Sequence, residues 1–177
     1  VNRMGLNNDG AAVVGERLAR TGPAAPVPVG VNLAKSEHVD EAEAPADYRA
    51  TYEAVADAGD FFVVNVSCPN SQGFAALQNR DAMARILGDL VDAGASPLLV
   101  KVSPDLPEPA LADAVDLVAD LDLDGVVAVN TTTDRPSGLR SPNRSEQGGL
   151  SGAPLETRAT EMVRFVAERT DVPVVGV

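Results

Sequence analysis

The chain has 177 residues and is 45% hydrophobic, enough to bury a sizeable core and to exclude a disordered polymer. Its formal net charge is −12, from 26 acidic against 14 basic side chains, with Lys35 and Lys101 as the two lysines. Such a surface repels phosphate backbones and argues against nucleic acid as a partner, while abundant Asp and Glu with little Lys suits a high-salt cytoplasm. Cys68 is the single cysteine, which rules out an internal disulfide and fits a reducing compartment. No apolar run approaches the ~18 residues of a transmembrane helix. The chain opens on Val1 and closes on "VPVVGV", a strand with nothing after it. Residues 1–177 are therefore expected to be part of a single domain, truncated at both ends.

In chain order, the pattern predicts helices over 8–20, 46–58, 79–93, 107–120 and 154–169. They alternate with apolar, β-branched runs over 27–33, 61–67, 97–103, 125–131 and 172–177, short enough to be strands buried on both faces. The helix at 107–120 carries an apolar stripe of Leu111, Val115, Leu117, Val118 and Leu121, with Pro107 and Glu108 suited to its first turn. "DAG" at 57–59 and at 92–94 reads as a helix end stopped by glycine. Strand–helix alternation implies a parallel sheet with right-handed crossovers. Two architectures share that signature, an open doubly wound sheet and a (β/α)8 barrel. Nearly every strand here ends in a polar residue, namely Asn32, Asn65, Lys101 and Asn130. Barrels build sites from several strand ends at once, whereas an open sheet focuses its ligand at one switch point. The barrel is preferred, with five of its βα units present and about three missing by that template.

The strand ends also hold the candidate chemistry. In "FFVVNVSCPN" an apolar run gives way to Asn65, Ser67, Cys68, Pro69 and Asn70. Cys68 is either a small packed residue or an acid–base group at the position where barrel catalytic residues lie. The single histidine, His38, sits in the polar stretch "KSEHVDEAEAPADY" and reads as a solvated surface residue, so a Cys–His nucleophile is a poor fit. The amides of Asn32, Asn65, Asn70 and Asn130, joined by Asn2 and Asn7, offer the alternating donors and acceptors that suit a neutral, imide-like ligand. Lys101, between Val100 and Val102, either stabilises an anion inside the barrel or snorkels outward. Gly148, Gly149 and Gly152 precede a helix that Ser151 could cap, and their N–H groups could hold a phosphate or a flavin edge.

Seven segments in order carry a resemblance: "NRMGLNN", "GVNLAKS", "NVSCPNSQG", "VKVSPDL", "VNTTTDR", "GGLSGAPL" and "VPVVGV". Together they resemble dihydroorotate dehydrogenase, a flavin enzyme of pyrimidine synthesis, over essentially the whole chain. The resemblance implies a (β/α)8 barrel with FMN at the carboxyl ends of its strands. It places dihydroorotate or orotate against Asn2, Arg3, Met4, Gly5, Leu6, Asn65, Asn70, Asn130 and Thr131. FMN would meet Asn32, Asn65, Lys101, the backbone of Val129, and Gly152. Cys68 would be the base, on the ring face opposite the flavin. "NRMGLNN", "NTTTDR" and "GGLSG" are similar to the membrane-associated, quinone-reducing class, which usually carries serine as base. The cysteine is similar to the soluble class that reduces fumarate or NAD. Quinone is the expected acceptor. The expected location is cytoplasmic, with peripheral contact on the inner face of the membrane through segments absent here. Two other readings remain: a dihydrouridine synthase, disfavoured by the charge, and a non-catalytic barrel fragment. The 177 residues alone are expected to be inactive.

Overall fold

The computed structural model describes residues 1–21, 27–67 and 79–177. Among these residues five α-helices alternate with five strands: α1 (Ala11–Thr21), β1 (Gly30–Leu33), α2 (Ala44–Glu53), β2 (Phe61–Asn65), α3 (Arg80–Asp92), β3 (Leu98–Val102), α4 (Glu108–Asp120), β4 (Gly125–Ala128), α5 (Glu156–Ala167) and β5 (Val174–Gly176). Every element predicted from the sequence is present.

The strands form one parallel sheet in the order β1-β2-β3-β4-β5, each hydrogen-bonded to the next in sequence. This order decides between the two architectures. A doubly wound sheet reverses its strand order and carries helices on both faces. Here the order never reverses, so each crossover steps the same way, as in a barrel wall.

Alternation along the strands separates two faces. Phe62, Val64, Leu98, Val100, Val102, Val126 and Ala128 pack into the large core with Met83, Ile86, Leu87 and Leu90 of α3 and Leu111, Val115 and Val118 of α4. On the opposite face Val63, Leu99 and Val127 form a small cluster of their own, with Phe61 against it. That second cluster lies on the interior face of a barrel, which branched side chains fill. Above it, towards the carboxyl ends, the same face changes from apolar to polar.

Local signals account for both ends of α3 and the start of α4. Asn79 caps α3, its Oδ1 accepting from the Ala82 N–H at 2.9 Å. Gly94 follows α3 with φ of 85°, as "DAG" predicts there. Pro107 stands just outside α4 in extended backbone, and Glu108 opens the helix. Two expectations shift. Helix α2 stops at Glu53, before the glycine at 59, and residues 54–58 form turns. Ser151 does not cap α5, because a 3-10 turn, Ala153–Leu155, intervenes before the helix begins at Glu156. On the outer surface Arg49 of α2 meets Glu53 at 3.0 Å and Asp89 of α3 at 3.1 Å. The hydrogen bond to Glu53, then that to Asp89, raise its guanidinium further above the usual range.

Leu87 of α3 is fully buried in the large core. Leu87→Ala should lower the unfolding free energy by about 2–5 kcal/mol. Val13, exposed on α1, should tolerate alanine within about 0.5 kcal/mol. Urea titration of both variants at one fixed salt concentration makes the comparison.

Candidate active site

The carboxyl end of the sheet gathers the polar residues. Asn65 ends β2, and its carbonyl accepts a 2.8 Å hydrogen bond from the hydroxyl of fully buried Tyr48 on α2. Pinned from the helix side, the strand end turns the Asn65 side chain to the inner face. There its Oδ1 accepts from the Ser67 N–H at 3.3 Å and the Ser67 hydroxyl at 3.1 Å. Asn130, two residues beyond β4, donates its Nδ2 to the Ser67 carbonyl and hydroxyl, each at 3.1 Å, with Asn65 Oδ1 at 3.5 Å. Its own Oδ1 accepts from the Thr131 N–H at 2.8 Å. Two amides and a hydroxyl from β2 and β4 thus meet over β3.

Lys101 lies under this cluster, as the β3 residue in register with Asn65 of β2 and Val127 of β4. It is half-buried, on the face that also carries Leu99. A cavity of about 270 Å³ opens beside it, walled by Lys101, Val129, Asn130, Thr131 and Gly152 together with the start of α5. The inward option for Lys101 is therefore the observed one.

A second set of contacts assembles the rim. Asn2 forms an antiparallel bridge with Gly149, through 2.9 Å and 2.8 Å backbone hydrogen bonds. Thr132 forms another with Leu150. The Arg135 guanidinium donates to the carbonyls of Thr133 (2.9 Å), Asp134 (3.0 Å), Glu146 (2.6 Å) and Gly148 (2.8 Å), closing the excursion between 133 and 148 into a loop with joined ends. A Cβ on Gly149 would sit 2.1 Å from Thr131 Oγ1, and one on Gly148 would sit 2.1 Å from the Asn2 carbonyl oxygen. The glycine pair is there for close approach, and the Gly149 N–H is taken by Asn2. Gly152 is the glycine of this stretch that stays on the cavity wall.

The predicted residues thus divide. Asn65, Lys101, Val129, Asn130, Thr131 and Gly152 come together around the cluster and cavity. Asn2 joins through its bridge to Gly149, while Arg3, Met4, Gly5 and Leu6 run exposed beyond it. Asn32 is exposed on β1, in register with Val63, a step below Asn65. Cys68 and Asn70 lie outside the described residues. His38 is exposed, as expected. Sequence reasoning assigned no role to Tyr48, Asp105, Arg135 or Arg158. Apart from the bonds of Arg135 to Thr133 and Asp134, the side-chain contacts described for them reach residues further off in the chain, and only the buried tyrosine in the polar start of α2 left a local trace. Among the described residues no group of three or more His, Cys, Asp or Glu could hold a metal ion, and no helix is long and apolar enough to cross a membrane.

The family model for dihydroorotate dehydrogenase matches residues 1–177. The chain belongs to the dihydroorotate dehydrogenase family. It is 73% identical to a protein of Haloarcula marismortui and 62% identical to one of Halobacterium salinarum, both named dihydroorotate dehydrogenase (quinone). Each match takes in the whole chain and 50% of the relative, so the chain spans about half the length of the curated relatives it matches. A crystal structure of DHODH from Eimeria tenella in complex with ferulenol superposes with a TM-score of 0.91 at 29% identity, over 98% of this chain and 54% of that one. The ligand-free form gives 0.89 at 29% identity, over 99% and 57%. The fold is thus that of a dihydroorotate dehydrogenase barrel, of which these five strands make up a run.

Gly149→Ala should push Thr131 and the Asn2 strand apart. The expected cost is about 1–3 kcal/mol of stability, measured by thermal unfolding. Ala at exposed Gly138, which has no neighbour within 4 Å but a φ of 94°, serves as a control for backbone strain without crowding.

Proposed function

We propose that this chain is the central part of a longer (β/α)8 barrel that oxidises dihydroorotate to orotate in pyrimidine biosynthesis, with FMN as cofactor and a quinone as electron acceptor. The observation that carries the reading is the Asn65–Ser67–Asn130 cluster beside Lys101 and the cavity. Paired amides suit the imide edge of a planar pyrimidine, and a lysine ammonium suits the electron-rich edge of a flavin. The cavity wall offers that cofactor one side-chain cation, Lys101, backbone at Val129 and Gly152, and one side-chain carboxylate, Glu156 at the start of α5.

The reaction removes a proton from ring carbon 5 and a hydride from ring carbon 6. When bound, FMN supplies the hydride acceptor. The protein's part is to bind, orient and take the proton. Asn2, Asn65, Asn70, Asn130 and Thr131, with Arg3 to Leu6, hold the pyrimidine, and their fixed geometry lowers the entropy cost of alignment. Asn32, Lys101, Val129 and Gly152 hold the cofactor, with Lys101 favouring negative charge on it. Cys68 accepts the proton as general base. The quinone assignment follows the names of the relatives and the framework motifs. Cys68, in a motif similar to that of the soluble class, supports fumarate or NAD as the second reading. Contact with a membrane surface, where the quinone resides, belongs to the same proposal, on a protein otherwise in the cytoplasm.

Purified full-length protein should copurify with a flavin absorbing near ~450 nm and be bleached by dihydroorotate. A colourless protein would sink the reading. Cys68→Ala should retain flavin and orotate binding and slow flavin reduction on the order of 10²-fold or more. Cys68→Ser should keep partial activity with its pH profile moved upward, because a hydroxyl is a far weaker acid than a thiol of reference pKa about 8.5. Reoxidation of the reduced enzyme by a quinone analogue, fumarate and NAD in parallel separates the acceptors, and quinone is expected to be fastest.

A further inference from the structure

The loop after β3 is firmly held, with Ser103, Pro104 and Leu106 buried and Asp105 exposed between them. Arg158 of α5 donates its Nε to the Pro104 carbonyl at 3.0 Å and its Nη2 to the Leu106 carbonyl at 2.9 Å, gripping both neighbours of Asp105. The Asp105 N–H is itself engaged by the Ser103 hydroxyl at 3.2 Å. The Asp105 side chain is thus presented from a fixed frame. It accepts three hydrogen bonds from the loop after β4: the Thr132 hydroxyl, the Thr133 N–H at 2.8 Å and the Thr133 hydroxyl at 2.7 Å.

Those contacts bracket the two residues assigned to the pyrimidine. Before them, the Asn130 N–H donates to the Val102 carbonyl of β3 at 3.1 Å. After them come Thr132 and Thr133, on Asp105. Asn130 and Thr131 are therefore stretched between two anchors that both belong to β3 and its loop, the same strand that carries Lys101. We infer that Asp105 is a positioning residue: it fixes the Asn130–Thr131 pair relative to Lys101, and so sets the affinity of the site for the pyrimidine ring without touching the ring. The inference rests on the function proposed above for Asn130 and Thr131.

Charge-assisted hydrogen bonds are the strong ones, and removing the carboxylate leaves three donors to find other partners. The test uses full-length flavoprotein and reads orotate binding through the change in flavin absorbance. If the wild type does not bind orotate, the functional reading fails and Asp105 is not the cause. If it binds, Asp105→Ala should raise the orotate Kd at least ~tenfold, while flavin content stays at the wild-type level. Flavin reduction at saturating dihydroorotate should fall by less than the Kd rises. Thr133→Val, an exposed site, removes one donor from the same contact and should raise Kd by a smaller factor. The double variant should match Asp105→Ala alone, because both changes break one linkage. Unchanged orotate affinity in Asp105→Ala, or fully multiplicative effects in the double variant, would overturn the inference. So would parallel loss of flavin, as expected of a purely structural residue. Should Asp105→Ala fail to fold, Thr133→Val decides alone: weaker orotate binding with full flavin content supports the role, and unchanged binding refutes it.

Discussion

The rim of this barrel depends on one side-chain amide. Asn130 reaches over β3 to the Ser67 carbonyl and hydroxyl, and so ties the exit of β4 to the exit of β2. Parallel strands joined by helices have no direct turn between them, so nothing in the backbone ladder fixes their ends beyond the last paired residue. Each such hydrogen bond contributes a net ~0.5–1.5 kcal/mol. Its larger effect is geometric, because it converts two independent loops into one surface. The Tyr48 hydroxyl on the Asn65 carbonyl does the same from the helix layer. The cluster is held from both sides of the sheet.

The sheet divides its labour by face and by height. The face towards the helices is apolar along its whole length, and most of the burial lies there. The opposite face is apolar through Phe61, Val63 and Leu99, with Val127 packed against them. One step higher it carries Asn65 and Lys101, which are in register with each other. Burying a lysine and an amide in the main core would cost several kcal/mol without partners. At the open end of the inner face Lys101 borders a cavity and Asn65 has Ser67 as a partner. Stability and chemistry therefore draw on different residues of the same strands.

The alternation of strand and helix was legible because β-branched runs and 3.6-residue stripes are local signals. The choice of a barrel was legible from Asn32, Asn65, Lys101 and Asn130, one polar residue at nearly every strand end. The order of motifs carried the family, and with it the positions of Asn130 and Gly152. What could not be read were contacts between residues far apart in sequence. Asp105 and Thr133 are 28 positions apart, and Arg158 and Pro104 are 54 apart. Neither pair has a local signature. Gly148 and Gly149 were legible as special and not in what made them so: their lack of a Cβ admits Thr131 and the Asn2 strand, a close approach that only three dimensions reveal. Ser151 looked like a cap because it precedes a helical stripe, but the 3-10 turn at Ala153–Leu155 delays the helix beyond its reach.

The net charge of −12 gives these contacts a further meaning. Exposed ion pairs such as Arg17–Asp9 and Arg80–Asp120 weaken as salt rises, since screening acts over about 8–10 Å at moderate ionic strength. The residues that shape the rim are built differently. Arg135, Arg158 and the buried Lys35 donate to backbone carbonyls: four for Arg135, two for Arg158, and those of Ser36 and Val39 for Lys35. A charge held against a carbonyl at hydrogen-bond distance interacts with a dipole, over a range too short for mobile ions to enter. Salt that relaxes the repulsion of the acidic exterior therefore leaves these bonds largely intact. A protein of this charge can gain stability from salt on its outer surface while the geometry at its strand ends stays fixed, because the two depend on different kinds of contact.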